Sequence, residues 1–505
     1  MKANITIDSS KKAGEIDRKI FGHFMEHAFG NIYGGVYDPE SRFADEDGFR
    51  TDVIELLKEV KVPVLRYPGG NFVSSYHWED GIGPKENRPK KFDFAWGASE
   101  SNQFGTADFI KLCRKTGAEP LICVNMGSGT AEEAMNWVEY CNGTQDTYYA
   151  NLRRSHGYEE PFQVKYWGLG NEMYGVWQME SMTAEEYASS AAQFAKAMKK
   201  VDESIHLVAC GMEQDAEWNH TVVKKLEPYI DMISAHYYGM GWEEFGDISE
   251  QYEQTLYIPY QMEERHKLTL ASIITGQNGI KDNIKVAWDE WNMFGWSFDA
   301  VNEDSTYNLH DAIITALILN MILRNCDTIK MAMYSTFVNI TGALSVTKEG
   351  CLKRTQYHVF DMLSNHTGSQ LIRTDVDCSS SITIHDIGHL SFGANIDNKN
   401  NHASGKIVDK DIPAIDAVAT MDSKNIYVSV VNQSLNEDCE LFLDIHAQNI
   451  GSTMEKAELY SDSILDANTF GDPDHICPHK STQDVNQPVI IRKHSVNVIT
   501  IPRVD

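Results

Sequence analysis

Residues 164–201 read VKYWGLGNEMYGVWQMESMTAEEYASSAAQFAKAMKKV and contain one strand, one loop and one helix. Val164–Asn171 is a short run typical of a buried strand. A Trp- and Met-rich loop follows, and Thr183–Val201 then begins with Thr-Ala-Glu-Glu and continues with apolar residues at helical spacing. A strand followed directly by a helix is typical of a βαβ unit, whose strands are parallel.

The same alternation extends over the first three-quarters of the chain. Further helices are predicted over Thr106–Thr116, which has a Thr cap, and over Leu309–Arg324, which is largely apolar and is expected to pack on both sides. Eight parallel strands with helical crossovers predict an α/β fold, the (β/α)8 or TIM barrel, although periodicity alone leaves an open doubly wound sheet as the alternative. The eight candidate strands are Lys19–Glu26, Val62–Tyr67, Glu119–Asn125, Val164–Asn171, His206–Gly211, Met232–Tyr238, Ile284–Trp291 and Thr328–Ser335.

The pattern changes after about residue 375. Short alternating segments replace the helical patterns, among them SITIHDIGHLSFGANI (381–396), NIYVSVVNQS (425–434) and PVIIRKHSVNVITI (488–501). Clusters of Asn, Asp, Gly and Ser separate them, as in an all-β sandwich or jelly roll. We therefore expect a catalytic barrel over residues 18–375 and a C-terminal β-domain over 376–505. The leading segment 1–17 also alternates and is expected to join the β-domain as a strand.

Composition excludes several classes of partner and site. The chain has 44 Lys and Arg against 73 Asp and Glu, a formal net charge of -29, which disfavours binding to nucleic acid. Residues 1–19 contain no apolar secretion core, and no stretch approaches a membrane helix, so a cytoplasmic protein is expected. Nine cysteines are scattered singly, which favours reduced buried thiols over disulfides or a zinc site.

Two glutamates stand at the ends of predicted barrel strands, where active sites of this fold are built. Glu172 follows the fourth strand in LGNEM, and Glu290 lies at the end of the seventh in WDEWN. Cleavage of a glycosidic bond needs two such carboxylates, one to protonate the leaving oxygen and one to stabilise or attack the anomeric carbon. A single Glu after a strand is more often a solvated loop residue, so the prediction depends on the pair.

Other polar and aromatic residues stand at the remaining strand ends, and each has an ordinary structural alternative. Glu26 and Arg66 could form a structural ion pair, and His27 and His236 could be satisfied core histidines. Trp96 could be a core side chain or a flat face on which a sugar ring stacks. Their coincidence at five strand ends favours a site.

At these residues the sequence resembles glycoside hydrolase family 51, the α-L-arabinofuranosidases of clan A. The resemblance covers about residues 18–300, and the later all-β stretch is compatible with the C-terminal jelly roll of the family. The matching motifs are GHFMEH (22–27), LRYPGGNFVSSYHWEDGIGP (65–84), FDFAWGASESNQFGT (92–106), HGYEEPFQVKYWGLGNEMYGVWQ (156–178) and AWDEWN (287–292).

The resemblance implies a retaining, exo-acting α-L-arabinofuranosidase that acts on arabinose-containing oligosaccharides. Glu172 matches the acid/base and Glu290 the nucleophile. Asn171 matches the residue that hydrogen-bonds the 2-hydroxyl of the sugar, and Tyr238 matches the tyrosine that touches the nucleophile. The residues assigned to substrate binding are Glu26, Arg66, Asn71, Trp96, Asn171, His236, Tyr238 and Arg354.

Arg354 marks a departure from the family pattern. The family commonly has a Gln within a Trp-Arg-Gln-Thr-like segment, whereas this chain has Leu352-Lys353-Arg354-Thr355-Gln356. The hydroxyl contacts on that side of the sugar, and with them the substrate choice, therefore stay open. At the carboxylate pair, Arg66 is expected to keep Glu290 ionised, and an enclosed position is expected to raise the pKa of Glu172.

Two other function classes stay open from the sequence. One is another clan A glycosidase, such as an endoglucanase, xylanase or β-xylosidase, with a pocket of different width. The other is a non-catalytic carbohydrate-binding protein, against which the intact pair Glu172 and Glu290 argues. No cofactor or metal is expected, because HExxH, calcium-loop, P-loop and convincing GxGxxG motifs are missing from the sequence. The resemblance implies a homo-oligomer, often a hexamer, and neither nucleic acid nor a membrane is an expected partner.

Overall fold

A computed structural model describes residues 1–239, 248–293, 307–385 and 409–504. Its larger part is a closed barrel of parallel strands, in which each strand pairs with the next along the chain and the last pairs with the first. This confirms the predicted (β/α)8 fold and excludes the open sheet. The barrel strands are β2 (Gly22–Phe24), β3 (Val64–Tyr67), β6 (Glu119–Val124), β7 (Tyr166–Leu169), β8 (His206–Ala209), β9 (Met232–Gly239), β10 (Lys285–Met293) and β11 (Ile329–Tyr334).

Helices connect these strands and form the outer layer of the barrel. Thr183 caps α5 through a reciprocal pair of hydrogen bonds with Glu186, which satisfies two free backbone N–H groups and fixes the start of the helix. The helices are α1 (Thr51–Glu59), α2 (Thr106–Thr116), α3 (Ala131–Asn142), α4 (Tyr148–Ser155), α5 (Ala184–Val201), α6 (Ala216–Leu226), α7 (Ile248–Thr255), α8 (Ile258–Gly276), α9 (Leu309–Arg324) and α10 (Thr355–Asn365). None of those in the described part of the chain is long and apolar enough to cross a membrane.

The barrel interior is filled by side chains from its own strands. Because alternate residues of a strand point inward, short and long apolar side chains from neighbouring strands meet along the axis. This packing leaves the C-terminal ends of the strands as the place for polar groups. The interior cluster consists of Phe24, Val64, Leu121, Val208, Met232, Ala287, Met331 and Met333.

The second part of the molecule is mostly β. A nine-stranded sheet contains the N-terminal strand β1 (Lys2–Glu15), which pairs antiparallel with β14 (Gln370–Cys378) and parallel with β19 (Cys439–His446). The start of β14 lies a few residues before the predicted boundary at 375. The other strands of this sheet are β17 (Ile415–Met421), β18 (Asn425–Asn432), β20 (Thr453–Leu459), β21 (His479–Asp484), β22 (Val489–Ile491) and β23 (Ser495–Pro502).

Three short two-stranded sheets complete the described strands. Residues 386–396 of the predicted strand segment 381–396 lie outside the described residues. The pairs are β4 (Lys91–Phe92) with β5 (Ser99–Glu100), β12 (Leu344–Val346) with β13 (Cys351–Lys353), and β15 (Ser381–Ile384) with β16 (Lys410–Pro413).

Helix α9 joins the two parts of the molecule. Every residue from Leu309 to Leu323 is buried, and the helix packs against barrel strand β10 on one side and against β17, β18 and β23 on the other. A helix that is apolar all round is expected to be covered all round, so the predicted packing on both sides is confirmed.

Candidate active site

Glu172 and Glu290 face each other across the C-terminal end of the barrel. Glu172 follows β7 in a turn where its backbone is left-handed, with φ +43°, and Glu290 lies within β10. A carboxylate oxygen of each residue and a ring nitrogen of His236 all lie within 4.8 Å of one another. Glu172 keeps 15% of its side chain exposed, so it faces the open mouth.

Arg66, on β3, organises the floor of the site. Its Nη1 donates to Oε1 of Glu290 at 2.7 Å, its Nη2 donates to Oδ1 of Asn171 at 2.7 Å, and its Nε lies 3.3 Å from Oδ2 of Asp289. The guanidinium is almost fully buried, so these contacts are the pairing that a buried charge requires. The planar fork thereby links β3 to groups on β10 and at the end of β7, strands that do not pair with one another in the barrel.

The second oxygen of Glu290 is held by Tyr238, on β9. The phenol hydroxyl donates to Oε2 of Glu290 at 2.7 Å and lies 2.6 Å from Oγ of Ser335. With Arg66 on Oε1, both carboxylate oxygens have a charge-assisted or hydroxyl donor, which fixes the orientation of the carboxylate. The expected contacts of Arg66 and Tyr238 with Glu290 are thus present.

His236 links the two glutamates. Its Nδ1 lies 2.9 Å from Oε1 of Glu172 and 3.7 Å from Oε2 of Glu290, and its Nε2 lies 3.3 Å from Oδ1 of Asp289. Burial lowers the pKa of His236, but the negative charges of Glu290 and Asp289 and the hydrogen bonds to Asp289 and Glu172 raise it well above the usual value. These interactions favour the protonated form of His236.

The expectation that an enclosed site raises the pKa of Glu172 is wrong. Burial does act in that direction, but the hydrogen bond and positive charge of His236, together with the indole N–H of Trp177 at 2.9 Å from Oε2, lower the pKa below the usual value. The two opposite pKa shifts favour a carboxylate on Glu172 paired with a protonated imidazole on His236. The sequence did not reveal this because the shift depends on the distance between two strand ends.

Glu26 lies beside this network in a drier position. Its Oε1 accepts hydrogen bonds from the backbone N–H of Gly70 and Phe72 and from Nε1 of Trp96 at 3.3 Å. Burial and, to a lesser degree, the nearby charge of Glu290 raise the pKa of Glu26 to about 8. Glu26 therefore carries a proton at neutral pH and offers a neutral carboxyl.

The Gly69-Gly70 turn allows the backbone to lie close to the carboxyl groups of Glu26 and Glu290. Gly69 has φ +156°, a value that L side chains rarely adopt, and a Cβ there would lie 2.6 Å from Cγ of Glu26. A Cβ on Gly70 would lie 2.7 Å from Oε1 of Glu290. The two glycines therefore let the backbone run between two carboxyl groups, where any side chain would displace one of them.

The remaining predicted residues, Asn71 and Arg354, differ in how they relate to this cluster. Asn71 follows the glycine turn, and its Oδ1 accepts a hydrogen bond from Nε2 of Gln178 at 2.6 Å. Arg354 is not brought to the cluster by its described contacts. It is fully buried, its Nη1 donates to the carbonyl oxygens of Ile340 and Gly342, and its guanidinium lies over the ring of Tyr307.

Three further residues belong to the site but were not singled out from the sequence. Asp289 contacts both Arg66 and His236, Trp177 contacts Glu172, and Gln178 contacts Asn71. Asp289 stands next to Glu290, and Trp177 and Gln178 end the GNEMYGVWQ segment that contains Glu172. Their closeness in sequence to the two glutamates was the signal that could have identified them. The direction of each side chain depends on the turn after Glu172.

One group of His and carboxylate residues in the described part of the chain has a spacing that suits a metal ion. It consists of Glu172, His236 and Glu290, the residues of the pair itself. A protonated His236 and the nearby guanidinium of Arg66 place positive charge where a cation would bind. The arrangement instead suits acid/base and nucleophilic chemistry on a neutral substrate.

Two family models match the chain. One, described as the alpha-L-arabinofuranosidase 1 domain, matches residues 56–256, and the other, the alpha-L-arabinofuranosidase C-terminal domain, matches residues 289–495. A probable alpha-L-arabinofuranosidase C of Aspergillus niger is 35% identical over 98% of this chain and 96% of its own length. An intracellular exo-alpha-(1->5)-L-arabinofuranosidase of Halalkalibacterium halodurans is 39% identical over 69% of this chain and 72% of its own length.

Solved structures agree with these matches. The alpha-L-arabinofuranosidase of Thermotoga maritima, in complex with arabinose, superposes with a TM-score of 0.88 at 35% identity and covers 99% of this chain and 100% of its own. The GH51 alpha-L-arabinofuranosidase of Thermotoga petrophila superposes with a TM-score of 0.87 at 36% identity, with the same coverage.

Proposed function

The chain belongs to glycoside hydrolase family 51 and is an α-L-arabinofuranosidase, and from this premise we propose that it cleaves terminal arabinofuranosyl residues with retention of configuration. Glu290 is the nucleophile and Glu172 the acid/base. The observation that carries the proposal is that a carboxylate oxygen of Glu172 lies within 4.8 Å of a carboxylate oxygen of Glu290. Retaining enzymes have carboxyl groups about 5–5.5 Å apart, whereas inverting enzymes need roughly 6.5–9.5 Å for an intervening water.

In the first step, a carboxylate oxygen of Glu290 forms a bond to the anomeric carbon while the bond to the leaving oxygen breaks. Glu172 delivers a proton to that oxygen, drawing on the proton that it shares with His236 at 2.9 Å. In the second step, Glu172 takes a proton from water, and the water oxygen replaces Glu290 at the anomeric carbon. Two inversions at this carbon give net retention.

We propose that the sugar hydroxyls bind to Glu26, Asn71 and Asn171, and that the sugar ring stacks on the indole of Trp96. Nδ2 of Asn171 is buried and has no hydrogen-bond partner among the described residues, so it is a free donor beside Glu172. The neutral carboxyl of Glu26 has one oxygen occupied by Gly70, Phe72 and Trp96, and its other oxygen is available to a hydroxyl. Arg354 would act on the sugar only through other residues.

Exo action on arabinose-containing oligosaccharides inside the cell is part of the proposal. It is supported by the relative of Halalkalibacterium halodurans, whose name describes an intracellular exo-enzyme. A homo-oligomer, a hexamer by family resemblance, is proposed as the assembly, and light scattering coupled to size exclusion tests it.

The decisive experiment is hydrolysis of nitrophenyl α-L-arabinofuranoside in water containing methanol, followed by proton NMR. A retaining enzyme produces methyl α-L-arabinofuranoside first, because methanol attacks the glycosyl-enzyme from the face opposite Glu290. The β-anomer as first product would disprove the double displacement. A panel of aryl pyranosides in the same assay separates an arabinofuranosidase from the other clan A activities.

A further inference from the structure

Both oxygens of Glu172 are occupied. Oε1 lies 2.9 Å from Nδ1 of His236, and Oε2 accepts the indole N–H of Trp177 at 2.9 Å. Donors on both oxygens favour the ionised form of a carboxyl group. The acid step, however, needs a proton on this same group. His236 can transfer its proton to Glu172, but the indole N–H of Trp177 cannot, so the donor from Trp177 works against that step.

The two oxygens differ in surroundings. Oε1 faces His236, which is 6% exposed and is itself bound to Asp289 on the floor of the barrel. Oε2 faces the loop after β7, where Val176, next to Trp177, is 69% exposed. Oε2 is therefore the oxygen on the side of this loop, and Oε1 is the oxygen on the side of His236.

The turn after Glu172 is shaped to hold the indole of Trp177. Gly175 donates its N–H to the carbonyl oxygen of Glu172 at 2.7 Å, and its own carbonyl oxygen accepts the N–H of Gln178 at 2.9 Å. A Cβ on Gly175 would lie 2.5 Å from Cζ2 and 2.8 Å from Cδ2 of Trp177, so the ring rests on the bare glycine backbone. The ring of Tyr174 meets the indole edge-on, with centroids 6.2 Å apart.

We propose that Trp177, resting on Gly175, is a positioning residue that holds Glu172 as a carboxylate through Oε2 and thereby limits how readily this oxygen carries the proton for the leaving group. The inference depends on the proposed acid/base role of Glu172. Trp177 acts on the proton balance between Glu172 and His236 and takes no part in bond breaking. Among the described residues, the other titratable groups that interact with Glu172 are Arg66 from β3, Cys210 from the end of β8, His236 and Tyr238 from β9, Glu290 from β10, and Tyr174 from its own loop.

The test compares two substrates in Trp177→Phe, which keeps an aromatic ring but lacks the N–H. An alkyl α-L-arabinofuranoside needs protonation of its leaving oxygen, whereas a nitrophenyl arabinofuranoside barely does. Loss of the donor moves the shared proton toward Glu172, so the ratio of kcat/KM for alkyl over nitrophenyl substrate is expected to rise about threefold. The ratio is also expected to increase as the pH is lowered. In Trp177→Phe this increase should begin at a higher pH than in the wild type.

Gly175→Ala is the second variant, because its methyl group displaces the indole without removing it, and the same rise is expected. Val176→Ala, on the same loop but exposed, is the matched control and should leave the ratio and its pH dependence unchanged. A merely structural role of Trp177 would lower both kcat/KM values together. An unchanged or lower ratio in Trp177→Phe, with the pH dependence unmoved, overturns the inference.

Glu172→Gln separates this inference from the function on which it rests. If Glu172 is the acid, the ratio falls steeply in that variant. A ratio that stays at the wild-type value in Glu172→Gln contradicts the proposed function itself. A steep fall there, combined with an unmoved ratio in Trp177→Phe, contradicts the role of Trp177 alone.

Discussion

The phenol oxygen of Tyr238 lies 2.7 Å from Oε2 of Glu290, on the oxygen that Arg66 does not hold. A hydrogen bond to a charged group contributes about 1.5–3 kcal/mol. Tyr238→Phe is therefore expected to lower kcat/KM for nitrophenyl arabinofuranoside roughly 10–100-fold, because the attacking carboxylate loses its orientation. A value within twofold of wild type, in a protein with an unchanged unfolding temperature, would show that Arg66 alone is sufficient.

Glu290→Ala removes the proposed nucleophile and is expected to abolish turnover. A small anion such as azide or formate then occupies the vacated space beside Arg66 and attacks the anomeric carbon of an activated substrate in a single displacement. The expected result is partial recovery of activity, with an arabinofuranosyl azide of inverted configuration identified by NMR. A rescued product of retained configuration would contradict the assignment of Glu290.

Glu172→Ala separates the substrates by leaving group. A nitrophenolate departs without a proton, whereas the hydroxyl of a sugar does not, so arabino-oligosaccharides should lose far more kcat/KM than nitrophenyl arabinofuranoside. The expected difference between the two losses is about 10²-fold or more. Equal losses on both substrates would show that Glu172 is not the acid.

Glu26 is expected to make the binding of L-arabinose depend on pH in the alkaline range. Its pKa of about 8 means that the neutral carboxyl, which can donate to a sugar hydroxyl, is replaced above that pH by an anion beside Glu290. The Kd for L-arabinose is expected to rise about tenfold between pH 7 and pH 9, one unit above this pKa. In Glu26→Gln, whose amide stays neutral, that rise should be absent. Isothermal titration at both pH values measures it, and equal rises in the two proteins would refute the role.

The raised pKa of Glu26 also affects how the free energy of unfolding depends on pH. In the unfolded chain Glu26 loses its proton near its ordinary pKa of 4.5, whereas in the folded protein it keeps the proton up to about pH 8. Between these values the unfolded state binds fewer protons, so the contribution of Glu26 to the free energy of unfolding falls as the pH rises and is constant above pH 8. Glu26→Gln should therefore flatten the stability profile over this range.

The strands and helices of the barrel could be predicted from the sequence because each one depends on residues that are close together in the chain. A run of apolar residues and a capped helix are visible within one segment, and the bounds of α2 and α9 agree with the predicted helices. The site followed from topology, since a barrel brings the ends of all its strands together. The closeness of Glu172 and Glu290 could be predicted from their positions at two such ends, whereas their proposed roles came from the family resemblance.

Distances and side-chain directions were beyond the sequence. Trp177 reaches Glu172 only because the turn between them has a left-handed residue and a bare glycine. The pKa of Glu172 moved opposite to expectation because His236, on β9, lies 2.9 Å from Glu172 in the turn after β7, a distance that the sequence does not give. Arg354 stands where the family commonly has a Gln, and its Nη1 donates to the carbonyl oxygens of residues 340 and 342 inside the protein.

Gly70 tests whether backbone shape is part of the catalytic design. A methyl group there would lie 2.7 Å from Oε1 of Glu290 and 3.3 Å from Nδ2 of Asn171, and the backbone beneath it has no free space in which to retreat, because the N–H of Gly70 is bound to Glu26. Gly70→Ala should displace the nucleophile from Arg66 and lower kcat at least 10²-fold, since a misplacement of about 1 Å is enough for such a loss. Gly350→Ala is the matched control, because a methyl group on Gly350 would point into open space, with no neighbour within 4 Å, and its backbone needs no special φ. Comparable kcat values in the two variants would mean that the glycine turn serves folding and leaves the carboxylate free to adjust.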